Sequence, residues 1–149
     1  MAVKIFRFLS LVFVALAMSL ALAHLFELPN KIHLTGDNYL IVQQIYRGWA
    51  IPGAIFDPGA LITTLILTVL VRHERRHFAL ALIAFLCIAG TLAVFFTFTF
   101  PVNQATDNWT ALPQDWQRLR AQWEYSHAAG AGLTLVAFAA LALSAAARD

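Results

Sequence analysis

The chain has 149 residues, 60% of them hydrophobic and 12% charged, with a formal net charge of +2 and a mean hydropathy of +0.71. Soluble domains carry about 25% charged residues, and a fold this short leaves too much of its surface in water to hide so apolar a composition. Disorder and a disulfide scaffold are excluded by the same numbers, so the chain reads as an integral membrane protein, and the question is where its few charges sit.

A spanning helix takes about 20 apolar residues. The first run, Ile5 to Ala23, contains no charge beyond Arg7 near its start. Lys4, Arg7 and the Ala21-Leu22-Ala23 triplet also resemble a secretory signal with cleavage after Ala23, which would make His24 an N-terminus able to bind a metal through amine and imidazole. The run is longer than an ordinary signal core of about 7–15 residues, which favours an uncleaved helix. Pro29 lacks an N–H and predicts that this helix ends near Leu28. His24 and Glu27, three apart, share its last face. Beyond it, Tyr39, Gln43, Gln44, Tyr46, Arg47 and Trp49 predict a short helix, with Trp49 read as an interfacial belt residue and His33 as a solvated loop histidine.

Ile51 to Val71 is the second run, interrupted by Pro52, Asp57 and Pro58. The segment Arg72-His73-Glu74-Arg75-Arg76-His77 then reads as a topology anchor at lipid headgroups. Phe78 to Phe100 is the third run, and its lone Cys87 fills space as a small apolar group. The fourth run is Ala128 to Ala147, and Pro113 suits the first position of its helix. On a helical wheel Trp116, Arg120, Trp123 and His127 fall within about 60° of one another, with Gly130, Ala131, Thr134 and Phe138 continuing the stripe and Glu124 flanking it. Such a polar and aromatic stripe belongs in the bundle interior.

These elements predict one all-α domain over residues 1–149: an integral membrane four-helix bundle with spans of about 5–25, 51–71, 78–100 and 126–147. Lys4, Arg7, Arg72, Arg75, Arg76 and Arg148 face only Glu74 and Asp149 on one side. Lys31, Arg47, Arg118 and Arg120 face Glu27, Asp37, Asp57, Asp107, Asp115 and Glu124 on the other. The cationic side is expected to be cytoplasmic, so both termini lie inside, the long loops lie outside, and the location fits a bacterial inner membrane.

His24-x-x-Glu27 and Glu124-x-x-His127 thus confront each other at the outer mouth. Glu-x-x-His on facing helices is the spacing of carboxylate-bridged metal sites in bundles, and imidazole with carboxylate suits Fe, Mn, Zn or Cu. Two facing histidines also suit haem. A cofactor-free proton-transfer or substrate-binding cluster, and structural pairing alone, stand beside these readings. Imidazole nitrogens within about 4–5 Å would support a shared metal.

Pro101-Val102-Asn103, Trp116 and Arg120-x-x-Trp123-Glu124-Tyr125-Ser126-His127 resemble a family of small four-helix membrane proteins whose characterised members are anthrone oxygenases. The His24–Asn30 segment and Gln43-Gln44-Ile45-Tyr46-Arg47-Gly48-Trp49 look like its bacterial branch. The oxygenase-like members are expected to carry an arginine shortly after the His127 position, where this chain has Ala128, Ala129 and Gly130. The resemblance implies a membrane oxidoreductase that oxidises a small lipophilic phenolic, anthrone- or quinol-like molecule with dioxygen. In that reading His127, Glu124, Arg120 and Asn103 are catalytic, and Trp116, Trp123, Gln43 and Tyr46 bind substrate. His24, Glu27, Glu124 and His127 are the candidate metal ligands. The expected partners are the lipid bilayer and the lipophilic substrate, with no nucleic acid and with room for a homo-oligomer or a membrane partner subunit. A non-catalytic accessory subunit or binding module, in which the cluster is structural, is the alternative.

Overall fold

The computed structural model describes residues 1–147; Arg148 and Asp149, counted above among the charges of the cationic side, lie outside the described residues. The described residues form helices and no strands: α1 (Ala2–Lys31), α2 (Gly36–Gln43) followed by a 3₁₀ turn (Gln44–Tyr46), α3 (Ala50–Leu70), α4 (Arg75–Val94), a π turn (Phe95–Thr99), α5 (Phe100–Ala105) and α6 (Trp116–Ala146). Four helical segments are long and apolar enough to cross a membrane: α1, α3, the continuous stretch Arg75–Ala105, and α6. They form a ring in which α1 packs on α3, α3 on α4, α4 on α6, and α6 back on α1. Arg7 near the start of α1 meets His77 at the start of α4, while His24 near the end of α1 meets His127 on α6.

Inside the bilayer the core is built from small and branched residues. Ala60, Ala81, Ala84, Ala137 and Ala140 interleave with Val14, Leu67, Ile88 and Leu141, because small side chains let helix backbones approach where lipid offers no hydrophobic drive. Gly59 is a close approach of this kind: a Cβ there would stand 2.5 Å from the Phe13 ring. Thr63, Thr64 and Thr68 return their hydroxyls to the carbonyls of Gly59, Ala60 and Thr64 at 2.7–2.8 Å, so their hydroxyl protons are not left to lipid.

Three of the four spans overshoot the membrane. At 1.5 Å per residue, α1, α6 and the stretch Arg75–Ala105, with 30, 31 and 31 residues, are about 45 Å long, against a hydrocarbon core of about 30 Å. The excess, with α2 and the 106–115 loop, builds a second core beyond the hydrocarbon layer from Tyr39, Val102, Trp109, Leu119 and Trp123. The loop enters it through three consecutive left-handed residues, Asp107, Asn108 and Trp109, with φ of 47°, 53° and 61°. Hydrogen bonds from Asn108 N to Asn103 O (2.7 Å) and from Trp109 N to Thr106 Oγ1 (3.1 Å) hold that unfavoured turn, and Trp109 is buried by it.

The short helix before the second span is present, but three prolines act differently from expectation. α1 does not end at Leu28; it carries Pro29 inside its last turn and reaches Lys31, with Ile32 N donating to Leu28 O at 3.0 Å. Loss of one ladder bond in a terminal turn is offset by what that turn delivers, a buried Lys31 (below). Likewise the third span does not stop before Pro101 but continues to Ala105. The π turn at Phe95–Thr99 widens the ladder just ahead of the proline ring, which would otherwise strike the carbonyl four residues back. The Phe98 carbonyl there takes the Gln122 amide at 2.9 Å. Pro113, finally, is not a first helical residue. The 106–115 segment is spent seating Trp109, and α6 begins at Trp116 with Asp115 as its cap residue.

Candidate functional site at the long-loop end of the bundle

The α6 stripe points inward as its spacing requires. Trp123 is buried and donates its indole N–H to Asn103 Oδ1 at 2.8 Å. Arg120 donates to the Leu34 carbonyl at 2.6 Å and lies over the rings of Trp116 (4.7 Å) and Tyr39 (5.5 Å). One turn lower, His127 meets His24: the imidazole centroids are 4.0 Å apart with planes inclined by 26°. Around His24 stand Tyr46 (4.3 Å), Trp123 (5.0 Å) and Trp49 (5.5 Å). Trp123 also lies 4.2 Å from His127, edge to face.

Beside the rings sits an ionic group. Glu124 is fully buried and Lys31 is 3% exposed, and the two approach to 3.3 Å. The same ammonium lies 3.5 Å from Glu27, whose side chain is 38% exposed, and donates to the Tyr46 hydroxyl at 2.7 Å. It also lies over the faces of Tyr46 and Trp123, at 4.6 and 5.0 Å. Tyr39, with no exposed surface, donates its hydroxyl to Glu124 Oε1 at 2.8 Å and accepts from the Gln43 amide. Burial, and then the Glu124 carboxylate, push the Tyr39 hydroxyl far above the ordinary tyrosine range. Tyr39 is therefore a fixed donor at any ordinary pH.

Sequence reasoning placed His24, Glu27, Glu124, His127, Trp123 and Tyr46 at one mouth, and the fold brings them together. Asn103 and Arg120 are near but committed to Trp123 and the Leu34 carbonyl. Gln43 reaches the cluster through Tyr39, while Trp116 is occupied by Arg120. The roles of Lys31, Tyr39 and Trp49 were missed. Lys31 lies seven residues from His24 and four from Glu27, on the same helical stripe, a signal masked by taking Pro29 as the helix end. Trp49, read from the sequence as a belt residue, also stands against His24.

The donor set fits a metal poorly. Rings stacked face to face direct their in-plane lone pairs side by side rather than toward a common point, and the Lys31 ammonium takes the place of a bridging cation between Glu27 and Glu124. Among the described residues no three His, Cys, Asp or Glu side chains come together as a ligand set. Haem ligation needs the two imidazoles on opposite faces of a macrocycle, and rings in contact leave no room for one. What the arrangement can do is proton chemistry: two imidazoles in an aromatic box, with the His24 Nδ1 and Glu124 Oε2 atoms lacking hydrogen-bond partners. Compared with protein-family models, curated proteins and solved structures, the chain finds no match.

Proposed function

We propose that this multi-pass membrane protein is an oxidoreductase of the anthrone-oxygenase type. It acts without a resident metal on a small lipophilic phenolic, anthrone- or quinol-like molecule. The single observation that carries the reading is the His24–His127 pair, 4.0 Å between centroids, walled by Tyr46, Trp49 and Trp123. Aromatic neighbours suit a flat apolar substrate, which meets the pair from the side of the half-buried His127 rather than between the rings. One imidazole of the pair takes the proton of the weakly acidic O–H or C–H; dioxygen then takes two electrons from a quinol anion to give quinone and hydrogen peroxide, or adds to an anthrone carbanion, leaving one oxygen as the new ketone and the other as water. Beside the pair, Lys31 and the buried Glu124 neutralise one another. Because Asn103 and Arg120 are engaged elsewhere, they position Trp123 and the 34–39 segment rather than touch the substrate.

The resemblance in the Pro101–Asn103 and Trp116–His127 segments supports the same chemistry. The test is dioxygen uptake by the protein in lipid nanodiscs, with anthrone and a short-chain benzoquinol as probes. Uptake is expected, and His127→Ala should reduce it by about 10²–10⁴-fold while leaving the helical circular dichroism unchanged. Absence of uptake with both probes in the wild-type protein overturns the proposal. A second reading, a non-catalytic accessory or binding module, is favoured by the way Lys31 ties α1 to α6 and to Tyr46. It predicts that His127→Ala changes melting temperature only.

A further inference from the structure

A groove of about 500 Å³ lies between α6 and the π turn, on the face of α6 opposite the histidine pair. Its lining changes character along the bundle axis. Val94, Phe98 and Ala129 form the deep part, Gln122 and Tyr125 the middle, and Arg118 the top. Two cross-links fix the levels: Thr99 and Ser126 share a 2.7 Å hydroxyl contact, and Gln122 donates to Phe98 O at 2.9 Å. Phe96, Phe98 and Phe100 are 61%, 49% and 41% exposed, which marks the lipid-facing surface as extending to their height. Arg118 stands four residues, about 6 Å, above Gln122. With the hydrocarbon edge taken at Phe100, where the third span is expected to end, the long Arg118 side chain can lie down the groove into the headgroup layer, since a bilayer exceeds its hydrocarbon core by about 10–15 Å shared between two sides.

At that height Arg118 is ion-paired with Asp115, both well exposed, so the top of the groove offers a cation and an anion side by side. A phosphoethanolamine head group presents the mirror pair, an anionic phosphate and a primary ammonium one short linker apart. We propose that this groove binds a glycerophospholipid with a primary-ammonium zwitterionic head group, from the leaflet on the side of the long loops. The phosphate accepts from Arg118 and the ammonium donates to Asp115. The Gln122 and Tyr125 side chains meet the glycerol esters, and an acyl chain lies along Val94, Phe98 and Ala129. A quaternary ammonium has no N–H for Asp115, and a glycerol head group brings no cation, so the pair discriminates among common lipids.

The experiment is native mass spectrometry of the intact protein released from nanodiscs containing equal phosphatidylethanolamine, phosphatidylcholine and phosphatidylglycerol. The ethanolamine lipid is expected to be retained about fivefold over either competitor, the scale of one charged contact near a membrane surface. Arg118→Gln and Asp115→Asn should each bring the ratio to parity. Ala121→Phe, which fills the groove and spares both charges, should lower retention of all three lipids. Equal retention in the wild-type protein, a preference for the glycerol lipid, or a preference unchanged by Arg118→Gln and Ala121→Phe overturns the assignment.

Discussion

Polar clusters sit at both ends of the bundle, and they handle charge differently. At the end marked by the 71–74 turn, the inner end of the predicted topology, Arg7, Glu74, His77 and Ser144 join α1, α4 and α6. Arg7 Nη2 lies 3.5 Å from His77 Nδ1, the same nitrogen shares a 2.9 Å hydrogen bond with the Ser144 hydroxyl, and His77 Nε2 faces Glu74 at 3.9 Å. Glu74 is 52% exposed, so water carries much of its solvation. At the outer end Glu124 has no exposed surface, and its charge is met by Lys31 and the Tyr39 hydroxyl. The inner cluster joins helices near water, whereas the outer one holds charge away from water, an arrangement that tolerates little loss.

The largest effect expected from this difference is at Lys31. Lys31→Met leaves the Glu124 carboxylate buried without a counter-charge, which typically costs about 3–5 kcal/mol. Unfolding in a fixed detergent micelle should register it as a large loss of stability, and adding Glu124→Gln should recover part of that loss. If the single variant is as stable as the wild type, the outer cluster is more hydrated than its burial indicates and the contrast fails.

Tyr39→Phe comes next. It removes the donor to Glu124 and the acceptor for Gln43, at a cost of about 1–3 kcal/mol for buried groups left unpaired. Its pH dependence has a definite sign. The folded hydroxyl titrates above the ordinary value of 10.0, so above that value the proton is retained in the folded chain and lost in the unfolded one. The Tyr39 contribution is therefore complete below about pH 10 and declines as pH rises above it. Alkaline melting curves should show that decline in the wild type and not in Tyr39→Phe. At the inner end, Ser144→Ala deletes the hydrogen bond between the hydroxyl and His77 and is expected to cost about 1 kcal/mol, read by the same unfolding measurement.

The four spans were legible because an apolar run of about 20 residues is at home in a bilayer and costly almost anywhere else. The α6 stripe was legible because 3.6-residue periodicity survives any tertiary context. Proline was the misleading signal. Pro29 and Pro101 each mark a place where a helix ordinarily stops, yet the π turn relieves Pro101 and the burial of Lys31 rewards the extra turn past Pro29. Lys31 itself was hidden for a second reason: a lysine near a span end is ordinarily interfacial, and only the position of Glu124 on a helix distant in sequence makes it a core residue. Tyr39 and Trp49 depend in the same way on how the α2 segment folds back over the bundle mouth.

The smallest effect should come from Glu74→Gln, and it is the sharpest check of the contrast because the residue types match those of the outer end. Glu74 is a carboxylate facing a nitrogen base, much as Glu124 faces Lys31. It differs in being 52% exposed and 3.9 Å from its partner. Exposed pairs are typically worth under about 1 kcal/mol, and at physiological ionic strength charges are screened over about 8 Å. Removing the charge should therefore shift stability by about 0.5 kcal/mol or less, and raising salt should shrink the shift further. A salt-insensitive loss comparable to that of Lys31→Met would show that the inner cluster also holds its charge away from water. Burial, rather than the kind of residue, is then what separates the two ends, and Glu74→Gln measured in low and high salt isolates that variable.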